Sequence, residues 1–176
     1  MLYIILGIII VVFAWMQAAS GRMQKYKRDA STQWVRIDDL LQTRSSYILN
    51  LLELLNDEEF EEKDLLAEIH DLEGGYSSSD DREVVSAQAE AVTPLLDRMI
   101  EALEQKPKMR ENEKIVSLVN ELADLEKNIE MESERYNYSI DHYNKHIEMP
   151  GVRLQVKAHG ATHLKGFHVR LNKGIS

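Results

Sequence analysis

The chain reads as an all-α protein: an N-terminal transmembrane helix, then an up-and-down bundle of three to four long helices, with a short C-terminal β-hairpin or irregular tail. Three observations predict this. Residues Met1 to Ala19 contain no charged side chain, whereas charge is dense after Gly21. Apolar residues then recur at steps of three and four through most of the chain to residue 148, which is the spacing of one face of a helix. No proline, the strongest helix breaker, occurs before Pro94. The organisation that follows is an anchor over 1–20, a helical bundle over 21–150 and a basic tail over 151–176.

Leu2 to Ala18 consists of Leu, Ile, Val, Phe, Ala and Met apart from Tyr3, Gly7, Trp15 and Gln17. At ~1.5 Å per residue it nearly spans a hydrocarbon core ~30 Å thick. Tyr3 and Trp15 stand near its two ends, where amphipathic rings favour the headgroup region. A cleaved signal peptide is the competing reading, with Ala18 and Ser20 as small residues before Gly21. Against it, the apolar run begins at Met1 with no basic stretch ahead of it. Arg22, Lys25, Lys27 and Arg28 lie just after the run, so the positive-inside rule places the body in the cytoplasm.

Sixteen basic and thirty acidic residues between 21 and 148 leave that segment at −14. Such an acidic body is a poor surface for nucleic acid, and no nucleic-acid partner is expected. The absence of cysteine excludes a disulfide scaffold, a lipid-modified cysteine and thiolate metal sites.

In the first body helix, Trp34, Ile37, Leu41, Ile48, Leu51 and Leu55 form one stripe, interrupted by Arg44. Anchor and first helix are expected to form one rod from Leu2 to about Leu55, on the order of 80 Å long, with Gly21 as its weakest point. A second helix is expected from about Glu58 to Glu73, with Phe60, Leu65, Leu66, Ile69 and Leu72 apolar, and Gly74, Gly75 and Ser77 to Ser79 end it. Asp80 with Glu83 reads as a capping box. The helix it starts shows Val85, Ala89, Val92, Leu96, Met99 and Leu103 on one face. Pro94 either kinks this helix or, with Thr93 as cap, begins another. Pro107 breaks the pattern again, and a long helix is expected from about Met109 to Glu148. Its stripe of Ile115, Leu118, Leu122, Leu125 and Ile129 continues, after a stutter, as Ser133, Tyr136, Ile140, Tyr143 and Ile147. Pro150 and Gly151 stop it.

The stretch from Asn112 to Pro150 contains Leu118, Leu122, Glu126, Ile129, the pairs Tyr136-Asn137 and Tyr143-Asn144, Ile147 and Pro150. It resembles the signature of the bacterial LemA family. Trp34, Ile37, Asp38, Leu41, Arg44, Ile48, Asn50 and Leu51 fall at similar spacings to the family's first helix, and Pro107 matches the proline before its final one. The likeness covers most of residues 22 to 150. It implies a helical bundle behind an N-terminal anchor and no general reaction. This chain departs from the pattern at Leu49, where proline is usual, so the first helix should continue unbroken; a Tyr-Asn pair after the anchor is also absent. Many relatives are lipoproteins outside the cytoplasm, so an extracytoplasmic body is the alternative to a cytoplasmic one on the bacterial inner membrane.

Tyr136 and Tyr143 share a helix face edged by Asn137 and Asn144, which makes either a recognition strip for a partner helix or two buried rings whose asparagines tie a neighbouring element. Arg44 on an apolar stripe requires a carboxylate, with Glu126 or Glu132 as candidates. Trp34 and Asp38 join these as structural or interaction residues. His142 and His146, four apart, have a spacing that grips metals, and His159, His163 and His168 follow. No third ligand stands at a motif spacing, and the pair reads as a polar edge beside Tyr143, so no cofactor or metal is expected. The acidic run Glu58, Glu59, Glu61 and Glu62 reads as solvated helix face. No nucleophile with a base, phosphate loop or dinucleotide fingerprint is present.

In the tail, Val152, Leu154 and Val156 alternate with polar residues, as do Phe167, Val169 and Leu171. Two short strands joined over Gly160 to Gly166 fit this pattern, and disorder is the competing reading. Arg153, Lys157, Lys165, Arg170 and Lys173 are the tail's contact residues, and no acid accompanies them. The expected role is a non-enzymatic membrane scaffold or adaptor, in contact with the lipid bilayer, that forms a homo-oligomer or docks other membrane or envelope proteins. The alternative is a metal or ligand sensor built on His142, His146 and the tail histidines.

Overall fold

A computed structural model describes residues 1–58, 60–75 and 81–168 of the chain. The expected run of helix through Gly21 and Leu49 is present as α1, Leu2–Asp57. It is followed by α2 (Lys63–Gly74), α3 (Arg82–Glu104), α4 (Pro107–Glu111), α5 (Glu113–Glu148), a 3₁₀ turn (Pro150–Val152) and α6 (Arg153–His159). Two compact units divide the chain: Met1–Trp34 with Glu134–Gly166, and Val35–Ser133 with the described tail residues Phe167 and His168. On α5 the divide falls at the stutter, where the buried stripe steps by four from Ile129 to Ser133.

In the larger unit α1, α2, α3 and α5 share one apolar core, in which Ile48, Leu51 and Leu55 meet Leu65, Ile69, Val92, Leu96, Met99, Ile115 and Leu122. The stripes read from the sequence supply it. Pro94 lies within α3, which continues from Arg82 to Glu104, so the separate-helix reading is set aside. Pro94 is on the exposed face, where the Glu90 carbonyl that loses its helical donor can meet water. The helix begins one residue later than expected. Asp81 is the cap and accepts from the Glu83 N–H at 3.1 Å; Asp80 lies outside the described residues.

Two other boundaries move. The second helix starts at Lys63 rather than near Glu58, because α1 closes at Asp57 and Phe60 fills the core from the connection, 1% exposed. Its N–H bonds the Leu55 carbonyl at 3.0 Å. The expected helix from Met109 is two helices: Pro107 opens the short α4, and Asn112, with extended backbone, accepts from Lys114 N–H at 3.1 Å to start α5. The acidic run is not all solvated face. Glu58 accepts from Asn112 at 3.1 Å and pairs with Lys108 at 2.9 Å, and Glu61 pairs with Lys106 at 2.6 Å. These contacts fasten the α1–α2 connection to the start of α4 and α5.

The expected β-hairpin is absent, and no strand occurs among the described residues. Val152, Gln155 and Val156 fall at helical spacing, and α6 turns this face inward, with Val156 against the cluster of Met23, Tyr143 and Ile147. A short alternating run fits either period, and here packing against two helices decides. Gly160 ends α6 at φ +57°, the left-handed backbone that glycine adopts without strain. Residues 161–168 follow without regular structure. Val169, Leu171, Arg170 and Lys173 lie outside the described residues.

Candidate functional site

In the larger unit, Arg44 is buried at 2% exposure and reaches two carboxylates. Its guanidinium lies 3.3 Å from Glu126 on α5 and 3.5 Å from Glu73 at the end of α2. Both acids are buried, so three helices meet on one fully desolvated charge cluster. Burial raises the Glu126 carboxyl above its ordinary value, Arg44 opposes that rise, and Glu73 and Asp97 add to it. The Arg44 Nε finds no acceptor among the described residues. Such a cluster costs desolvation and punishes any arrangement that separates its members, which suits it to fixing helix register. Glu132, the other candidate, instead faces Arg36 at 4.0 Å. Glu73 was not singled out from the sequence, although a buried guanidinium with several donors asks for more than one acid.

The paired Tyr-Asn repeat lies in the smaller unit. Tyr143 is 1% exposed and Tyr136 3%, and burial pushes the Tyr143 phenol's pKa up, keeping it neutral. Trp34 packs on Tyr136 with ring centres 5.4 Å apart. The chain's own C-terminal segment occupies the face that was one candidate for partner recognition. Tyr136 donates its hydroxyl proton to the Lys165 carbonyl at 3.3 Å. Asn144 donates to the Leu164 carbonyl at 2.9 Å and accepts from the Leu164 N–H at 3.0 Å. Asn137 is half-buried and Asp38 holds Gln42 on its own helix at 3.2 Å. Ser139 meets the Gln33 amide at 2.9 Å, a link between α1 and α5 that no motif announced.

The two histidines do not form a polar edge. His146 is 6% exposed and His142 half-buried. Tyr26 stacks on His142 at 5.5 Å and presents its edge to His146 at 6.3 Å, and Tyr138 closes on His142 at 4.2 Å. A helical spacing of four told of a shared face, while Tyr26 on α1 decided that the face is inward. His163 pairs with Glu148 at 2.9 Å, and His159 and His168 are exposed. Among the described residues no group of three or more His, Asp or Glu is placed to hold a metal ion.

At the head of α1, residues from Tyr3 to Trp15 expose their apolar side chains, Tyr3 at 86% and Trp15 at 51%. The helix carries an eighteen-residue window of mean hydropathy 2.2, none of it buried, long and apolar enough to cross a membrane. Arg153, Lys157 and Lys165 are exposed. The model of the LemA family matches residues 33–174 of this chain. A search of curated proteins returned no match.

Proposed function

This chain belongs to the LemA family, and from that premise we propose that it is a membrane-anchored, non-enzymatic helical scaffold or adaptor that self-assembles or docks other envelope proteins. The observation that carries this reading is the exposed apolar run at the head of α1, continuous in one helix with the bundle's Ile37 to Leu55 stripe. Burying that run in lipid removes a large apolar surface from water. Cohesive contacts made by buried polar side chains support the reading. Arg44, Glu73 and Glu126 join three helices, and Tyr136 and Asn144 hold the tail. The family is not a known enzyme family. Flanking Arg22, Lys25, Lys27 and Arg28 favour a single-pass inner-membrane protein with its body in the cytoplasm.

Membrane fractionation followed by sizing in mild detergent tests the proposal. The full chain should resist alkaline carbonate, leave the membrane in detergent, and run as a defined assembly larger than one chain. Release by carbonate would overturn the anchor, and a monomer with no retained protein partner would overturn the scaffold.

A further inference from the structure

The strongest unassigned feature is where α6 sits. The Gly151 backbone lies against the Trp15 indole, with no room for a Cβ between them, and Val156 packs with Met23, Tyr143 and Ile147. The 3₁₀ turn and α6 therefore lie alongside α1 over the stretch that begins at Trp15, where the apolar run ends. Val152 at the end of the 3₁₀ turn and Gln155 and Val156 on α6 are shielded; Arg153 and Lys157, one turn apart on α6, are exposed. Arg153 is two residues from Gly151, so its backbone lies within ~7 Å of that contact.

On α1 itself, Arg22 is seven residues past Trp15, ~10 Å along the axis, and Lys25, Lys27 and Arg28 follow. All four are exposed. No acidic residue occurs in 20–28 or in 149–168, and none of these six basic side chains makes an ion pair among the described residues. At the end of α5, Glu148 is engaged by His163 at 2.9 Å and Asp141 by Lys145 at 2.6 Å. Two chain segments far apart in sequence thus bring one sign of charge to the rim of the same apolar span.

We infer that the start of α1 beyond the span and α6 form a two-part basic collar that binds the anionic headgroups of bilayer phospholipids. The collar rests on the membrane reading above. Trp15 sets the depth, since indoles settle at the headgroup level, and Gly151 on Trp15 brings Arg153 to that depth. The two arms then meet the phosphates around the same end of the anchor. A basic residue near an anionic surface contributes about fivefold in affinity, screened within a Debye length of ~10 Å at 0.1 M salt.

The test is lipid selectivity of the full chain in vesicles of phosphatidylcholine and in equimolar phosphatidylcholine and phosphatidylglycerol. After mild detergent extraction, retained phospholipids are counted by native mass spectrometry. Phosphatidylglycerol should be retained several-fold over phosphatidylcholine. Arg153→Gln with Lys157→Gln should cut that ratio at least threefold while helix content and flotation with vesicles stay unchanged. Wild-type protein extracted at ~1 M salt, where the Debye length is ~3 Å, should lose the preference without any substitution. An equal retention of both lipids, or an R153Q/K157Q variant with the wild-type ratio, would overturn the collar. Failure of the wild-type chain to float with phosphatidylcholine vesicles would instead overturn the membrane reading.

Discussion

Asn144 grips the backbone of Leu164 from both sides, donating to its carbonyl at 2.9 Å and accepting from its N–H at 3.0 Å. This is how a strand neighbour would satisfy that residue, performed by one side chain on a helix. Residues 161–168 have no regular structure of their own, so their backbone groups need such partners. The Tyr136 hydroxyl at the Lys165 carbonyl provides the next one.

Asn144→Leu should therefore release this segment, because it strands a donor and an acceptor together. A cost of about 1–3 kcal/mol is expected for the unpaired groups. Amide exchange at Leu164 and protease cutting between Gly160 and Gly166 should both quicken, with α5 unchanged. Asn144→Asp, which keeps the acceptor and loses the donor, should fall between the two. Unaltered exchange in the leucine variant would show that apolar contacts alone hold the tail.

Arg44 has two acids, so losing one differs from losing both. Glu73→Gln singly leaves the guanidinium a charged partner and should cost about 1 kcal/mol or less; Glu126→Gln, which removes an anion that burial disfavours more than Arg44 favours it, should cost less still at neutral pH. The double variant leaves a buried, uncompensated cation, and about 3–5 kcal/mol is expected. Thermal unfolding in detergent of the four proteins gives the coupling. Additive losses would mean that the cluster does not act as a unit.

The helix stripes were legible because their burial follows from spacing alone: Ile37, Leu41, Ile48, Leu51 and Leu55 are all buried, as are Val85, Ala89, Val92, Leu96, Met99 and Leu103. Arg44's need for a carboxylate was legible for the same reason, since a cation on that stripe has nowhere dry to go alone. What spacing does not carry is the identity of a partner distant in sequence. Glu73 looked like the polar end of a short helix, His146 like an edge, and Val152 to Val156 like a strand. Each was decided by an element elsewhere in the chain: Arg44 on α1, Tyr26 on α1, and the Met23, Tyr143 and Ile147 cluster. Phe60 misled for a related reason, because a core residue on a connection has the same composition as one on a helix face.

Gly160 stops α6 with φ +57° and ψ 33°, and its N–H reaches back to Lys157. No neighbour stands within 4 Å of where a side chain would go, so any penalty is backbone strain. Gly160→Ala should cost about 1 kcal/mol and Gly160→Val more, as a β-branched residue resists that region. Gly160→Asn should be nearly neutral. Equal stability of the valine and asparagine variants, by chemical unfolding in detergent, would show that α6 ends for another reason.

Glu126 makes stability depend on pH in a direction opposite to that of most paired carboxylates. Burial lifts its folded pKa above the ordinary 4.5, with Arg44 offsetting part of the rise. From 4.5 up to that raised value the folded chain holds more protons than the unfolded one, so this group's contribution falls as pH rises through the window. Glu61, drawn the other way by Lys106, is the same in both proteins of the comparison and cancels. Glu126→Gln carries a permanently neutral group of nearly the same shape. Its unfolding temperature relative to wild type should climb as pH rises above 4.5 and level off once Glu126 is ionised in the folded protein. Parallel curves from pH 4 to 8, read by circular dichroism in detergent, would show that Arg44 and not burial governs this carboxyl.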